Sequence, residues 1–293
     1  MNVKTIIPYP IILFRRKLLS DWRKFTKANM KVKSEIPILH LHLADHCNLN
    51  CRGCDNFSPL APEKFADIHT FENDCAQVSK LANGKIAEIQ LLGGEPLLHP
   101  QVIEFLEITR KYFPKNTINI VTNGILLKKQ PDEFWESCRK NDIRIIVTKY
   151  PIKTDYQLIK EITKKQGVPF SFYGNTETVD KTMQLIPLDV EGKQNAQDSF
   201  LRCTRANRCI SVDNGKLYTC SLIPYVKYFS KTFEKKLDVT EKDYIDIYKA
   251  ESLDEILQFV SKPVPFCRFC DMKGIADGIP FDTTKKSIKE WTK

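Results

Sequence analysis

From residue 36 onward, short apolar runs alternate with longer amphipathic ones, and this alternation restricts the architecture more than any other feature. Residues 36–43 read as a strand in which Leu39, Leu41 and Leu43 alternate with His40 and His42. A helix opened by Thr70 with Asn73 or Asp74 runs to Leu81, and 86–92 forms the next strand. The series continues with helix 101–112, strand 117–122, helix 132–140, strand 143–148, helix 156–165 and strand 168–173. Residues 183–188 make a sixth strand. Strands separated by helices of this length pair in parallel through right-handed crossovers. The spacing therefore predicts an α/β fold, a partial TIM-like (β/α)6 barrel, with functional groups at the carboxyl ends of its strands.

Three motifs fall at such ends. Cys47, Cys51 and Cys54 form a CxxxCxxC run directly after the first strand. Three thiolates suit a 4Fe–4S cubane, whose four irons each need a ligand, and they leave one iron open. A structural zinc normally closes with four ligands. The second strand runs into Gly93-Gly94-Glu95-Pro96, where glycines allow close approach of backbone to a ligand. A plain strand-to-helix turn explains those glycines but not the carboxylate between them and a proline. Thr122 and Asn123 end the third strand with polar side chains at the same edge.

The order and context of these motifs resemble the radical S-adenosylmethionine (radical SAM) superfamily. The resemblance implies that Cys47, Cys51 and Cys54 hold a 4Fe–4S cluster whose free iron is chelated by the methionine part of SAM. It implies that Gly93, Gly94 and Glu95, with Thr122 and Asn123, bind SAM. In that superfamily the residue before the last cysteine is often aromatic and lies near adenine. Gly53 stands there instead, which leaves Phe57, another group or nothing to cover the ring.

A second cysteine set follows a polar stretch, 192–199, that reads as a linker. It comprises Cys203, Cys209, Cys220, Cys267 and Cys270. Asn214-Gly215 marks a hairpin turn between two short strands. A hairpin followed by a distant CxxC gathers four thiolates, enough to close one further site. The layout resembles the twitch domain, a shortened SPASM extension behind some radical SAM cores. That resemblance implies Cys203, Cys220, Cys267 and Cys270 as ligands of an auxiliary iron–sulfur cluster, with Cys209 spare or replacing Cys203. A zinc ribbon would use the same four residues. Arg202, Arg205 and Arg208 crowd the first of them, either to grip an anionic substrate or to offset cluster charge. Cys75 and Cys138 fall on helices as buried bystanders.

Ten cysteines without a signal peptide point to a reducing, cytoplasmic setting, where thiols serve metals. The apolar start, 6–14, is too short to span a membrane. A basic amphipathic helix follows, 14–33, with Leu18, Leu19, Trp22 and Phe25 facing inward and only weak membrane contact as an alternative. The net charge of +9 lacks the basic–aromatic interleaving of nucleic-acid binders and reads as a solvated surface. His40 and His42 share a strand face, as structural histidines or groups reaching toward substrate. His46 and His99 are loop residues, and Asp55 orients the cysteine loop. The expected division is a helical extension 1–35, a core barrel 36–198, a twitch-like unit 199–275 and a tail 276–293.

The function these resemblances imply is cleavage of SAM to a 5′-deoxyadenosyl radical that abstracts hydrogen from substrate. Four protein ligands at the auxiliary site suit electron transfer, hence a two-electron oxidation of a small polar molecule such as a sugar or cyclitol. A flavodoxin or ferredoxin would supply electrons. One alternative is a maturase acting on a peptide or protein side chain, against which the roughly 35 residues before the barrel leave no room for a leader-binding domain of the usual size. Another is a zinc-stabilised binding protein without catalysis. No residue is singled out as general base.

Overall fold

The computed structural model describes residues 9–175 and 182–292; the start of the apolar stretch 6–14 lies outside them. In chain order the strands are β1 (Ile36–Ala44), β2 (Ile86–Gly93), β3 (Thr117–Thr122), β4 (Ile143–Val147), β5 (Phe170–Phe172), β6 (Thr182–Leu185), β7 (Cys209–Asp213), β8 (Lys216–Tyr218), β9 (Tyr244–Asp246) and β10 (Ala276–Pro280). The helices are α1 (Tyr9–Ala28), α2 (Ile68–Ala82), α3 (Val102–Tyr112), α4 (Asp132–Lys140), α5 (Tyr156–Lys165), α6 (Ala196–Arg202), α7 (Leu222–Phe233) and α8 (Leu253–Val260).

An open eight-stranded sheet runs β5-β4-β3-β2-β1-β7-β8-β9. The strands from β5 through β7 are parallel, and β8 and β9 continue antiparallel. The alternation of β1 sends Leu39, Leu41 and Leu43 to one face, where they meet Ile89, Ile120 and Val147 at no more than 3% exposure. Each such side chain contributes about 1.5–3 kcal/mol of burial. Phe71, Phe105 and Trp135 from α2, α3 and α4 pack into the same core. The opposite face of the arc is polar, carrying His40 and His42 on β1, Gln90 on β2 and Asn119 on β3.

Two expectations change. The sixth strand forms, but β6 pairs antiparallel with β10 rather than with β5, and β7 completes the six parallel strands from beside β1. Residues 199–275 thus share a sheet with the core. Secondly, part of the stretch expected as linker is α6, capped by Asn195. A second core joins Phe200, Tyr225, Phe229, Phe266 and Trp291 around α6, α7 and the tail. Asn214 and Gly215 both take positive φ, as the anticipated hairpin turn requires.

Candidate active site

β2 ends where the cysteine loop begins, and glycine is required at that junction. Gly93 has φ +149°, and a Cβ on it would lie 2.2 Å from the Ala44 carbonyl oxygen; one on Gly94 would lie 2.0 Å from that of His46. Gly94 N donates to Ala44 O at 2.7 Å and Glu95 N to His46 O at 3.1 Å. Asn56 Nδ2 returns a bond to Gly93 O at 2.9 Å. The cysteine loop is thereby laid across the end of β2.

Glu95 is fully buried and organises the next strand end. Its Oε1 accepts from Thr122 Oγ1 at 2.6 Å and from Leu97 N at 3.1 Å, and Oε2 accepts from Asn123 N at 2.9 Å. Burial pushes its carboxyl up to about 7, with those three donors acting in the opposite sense. Asn123 Nδ2 donates to Asn48 Oδ1 at 2.7 Å, bringing β3 to the cysteine loop. Cys47, Cys51, Cys54, Gly93, Gly94, Thr122 and Asn123 line one cavity of about 150 Å3. The sequence reading missed Tyr150, which lines the same cavity and meets Phe281 edge to face at 5.3 Å. The signal was available, because Tyr150 lies just past the end of β4, where strand-end residues carry function.

Donors are aimed at the sulfurs. Leu49 N donates to Cys47 Sγ at 3.3 Å, and the backbones of Ser58 and Asn56 donate to Cys54. Burial raises the Cys47 and Cys54 thiols, and Cys54 and Cys51 act on Cys47 as neighbouring charges. Sulfurs shielded from solvent and supplied with peptide donors fit a positively charged metal centre, which would hold them as thiolates. Among the described residues, no three His, Cys, Asp or Glu side chains close on a single metal ion.

The second set shows the same chemistry. Arg205 N and Ala206 N each donate to Cys203 Sγ at 3.3 Å, and the backbones of Leu222 and Ile223 donate to Cys220 at the start of α7. Burial pushes Cys220 and Cys267 up to about 12. Burial raises the Cys270 thiol, and Cys267, Cys220 and Cys203 act on it as neighbouring charges, so the four lie within electrostatic reach of one another. Cys209 starts β7, opposite Ile38 of β1, and after burial the strongest influences on it are Arg208 and Arg205.

The three arginines divide their roles. Arg202 is tied to Asp198, Asp21 and Ser20, fastening α1. Arg208 is exposed. Arg205 alone spans the two cysteine sets: its guanidinium pairs with Asp55, next to Cys54, while Cys203 and Cys220 act on it from the other side. The tail forms a second link. Trp291 Nε1 donates to Cys54 O at 2.9 Å, and Trp291 O accepts from Leu188 N, a residue bridged to Cys270.

Gly53 has φ +63°, and a Cβ there would lie 3.0 Å from Glu290 O, which explains the missing aromatic ring. Phe57 does not replace it; the ring is buried against Phe229 and Trp291. His46 and His99 are structural, bonded to Lys64 and Ala66 respectively. His40 bonds Gln90, and burial pushes its imidazole down to about 4. His42 stacks on Tyr225 at 4.1 Å, and neither of its ring nitrogens has a hydrogen-bond partner among the described residues. Cys75 and Cys138 are buried in the first core.

Residues 41–173 match the radical SAM superfamily. Over that span the chain carries a domain of that superfamily. Its members use a 4Fe–4S cluster and SAM, and the donor set at Cys47, Cys51 and Cys54 fits the first of these. Sequence relatives include "Molybdenum cofactor biosynthesis protein 1" of Bos taurus, 34% identical over 93 residues, covering 31% of this chain and 14% of the relative. "GTP 3',8-cyclase" of Chlorobaculum tepidum is 31% identical over 102 residues, covering 35% and 30%. The enzyme of that name from Thermodesulfovibrio yellowstonii is 27% identical over 158 residues, covering 53% and 47%. The chain therefore spans less than half the length of these relatives. In fold it resembles BtrN, solved in complex with AdoMet and 2-DOIA, with a TM-score of 0.52 and 16% identity over 82% of this chain and 94% of that one. This radical SAM chain thus shares its fold with a solved neighbour well beyond residues 41–173. No helix among the described residues is long and apolar enough to cross a membrane.

Proposed function

We propose that this radical SAM enzyme is an oxidoreductase that dehydrogenates a small polar molecule, such as a sugar or cyclitol, in the cytoplasm. In this reading Cys47, Cys51 and Cys54 ligate the SAM-binding cluster. Gly93, Gly94, Glu95, Thr122 and Asn123 bind SAM. Within 199–275, Cys203, Cys220, Cys267 and Cys270 ligate an auxiliary cluster. When bound, the first cluster and SAM supply a 5′-deoxyadenosyl radical that takes hydrogen from an unactivated carbon. The chain's own residues orient and enclose. Tyr150 lines the cavity beside the cysteines, with its ring held edge to face by Phe281. His40, Gln90, Asn119 and Glu88 form a bonded polar row on the concave face, suited to a hydroxyl-rich substrate. A four-thiol second set leaves no position for substrate, which suits acceptance of the electron that a net oxidation releases.

The observation that carries the reading is the pairing of two cysteine sets through Asp55–Arg205 and Trp291. A flavodoxin or ferredoxin is the proposed donor. Nucleotide cyclisation is the rival that the names of the sequence relatives favour. Anaerobic turnover with deuterated polyols and, separately, GTP distinguishes the two. The expected result is deuterium in 5′-deoxyadenosine and a ketone product from a polyol, with about eight irons per chain after reconstitution. Turnover of GTP alone, or zinc at the second site, would remove the oxidoreductase assignment.

A further inference from the structure

The outer face of α1 reverses the expected packing of that helix. α1 docks through its polar side. Lys24 pairs with Asp198 at 2.6 Å, Lys27 Nζ donates to the carbonyls of Phe200 and Ala206 at 2.9 and 2.8 Å, and Ser20 Oγ lies 3.0 Å from Arg202. Leu18, Trp22 and Phe25, expected inward, recur at i, i+4 and i+7 and form one stripe pointing to solvent. They are 54%, 63% and 70% exposed, and Leu19 beside them is 48% exposed. A contiguous apolar patch of this kind marks an interaction surface. Its charge setting says which kind. Residues 15–33 carry eight lysines and arginines against one acid, Asp21, and Lys17 and Lys31 are exposed toward the two ends of the stripe.

We propose that α1 is an interfacial helix that seats the protein peripherally on an anionic phospholipid bilayer. Trp22 and Phe25 enter the boundary between headgroups and acyl chains, and Lys17 and Lys31 meet lipid phosphates. The two terms act together: insertion strength grows with apolar area, and each cation near an anionic leaflet adds attraction. A convex stripe on a single helix offers no groove for a partner element but fits a deformable surface. The polar fastening to α6 keeps that stripe turned outward, so binding requires no unfolding of the fold around Cys203.

Flotation of the full chain with vesicles of phosphatidylglycerol and phosphatidylcholine tests the assignment, with pure phosphatidylcholine as reference. The wild type is expected to float with the anionic vesicles and to be released by high salt. Emission from Trp22 should shift to the blue, because Trp135 and Trp291 are already buried. The double variant Trp22→Ser/Phe25→Ser removes only exposed side chains and should lose roughly tenfold in recovery. Leu158→Ser, at an exposed position on α5, should float like the wild type. Equal recovery of the double variant, equal binding to neutral vesicles, or absence of wild-type flotation overturns the proposal. So does a dimer in sedimentation that the double variant abolishes, which would assign the stripe to a second copy.

Discussion

Glu95 shows how one side chain connects sequence to site. Both carboxylate oxygens accept donors that belong to neighbouring elements, so the residue joins the end of β2 to the end of β3. Glu95→Gln keeps the volume but turns an amide toward a donor at one of these positions. An unsatisfied buried donor costs about 1–3 kcal/mol, and denaturant unfolding at about pH 5, below the folded titration, should register that loss. The pH dependence has a definite sign. Because the folded carboxyl titrates at about 7 against an unfolded value near 4.5, the native state binds more protons between those limits. Wild-type stability relative to the variant should therefore fall as pH rises from about 4.5 to 7 and level off above, by up to about 3 kcal/mol. A difference that grows with pH would overturn the burial argument.

At the scale of elements, the junction of β2 with the cysteine loop leaves no room for a side chain. Gly94→Ala places a methyl 2.0 Å from the His46 carbonyl, against backbone that cannot rotate away. The loop must move, and the expected outcome is loss of most iron at the first site. The distant α4 core around Trp135 keeps its near-ultraviolet circular dichroism. Full iron retention would show that the loop is not held by this contact. What was legible in the sequence follows from the same locality. Period-2 alternation in β1, the glycines after β2 and the Asn214-Gly215 turn are each decided by neighbouring residues, and all are observed. The partner of β6, the insertion of β7 beside β1 and the return of the tail over Cys54 are long-range pairings that no local pattern encodes. α1 was legible as a helix but not in its orientation. Its amphipathic pattern pointed the apolar side inward, whereas ion pairs with Asp198 and Arg202 chose the polar side.

Across the whole molecule, the two cysteine sets lie in different stretches of chain and are joined by a short list of contacts. Arg205 is the one whose charge reaches both, through Asp55 on one side and Cys203 and Cys220 on the other. Withdrawing a cation from beside a metal centre favours its oxidised, less negative state, so Arg205→Gln should lower the midpoint potential of the proposed auxiliary cluster. A shift on the order of 50 mV corresponds to about 1 kcal/mol for one electron. It should be read by anaerobic titration followed by electron paramagnetic resonance. Arg205→Lys, which keeps the charge without the planar fork, should recover most of the potential but less of the pairing with Asp55. SAM cleavage without substrate depends on the first site and should persist in both variants. Trp291→Phe separates the second link. It keeps a ring against Phe57 and Phe229 but removes the donor to Cys54 O, so it should destabilise by about 1 kcal/mol and leave the auxiliary potential in place. If Arg205→Gln leaves the potential unchanged while Trp291→Phe moves it, the coupling runs through the tail rather than through the ion pair.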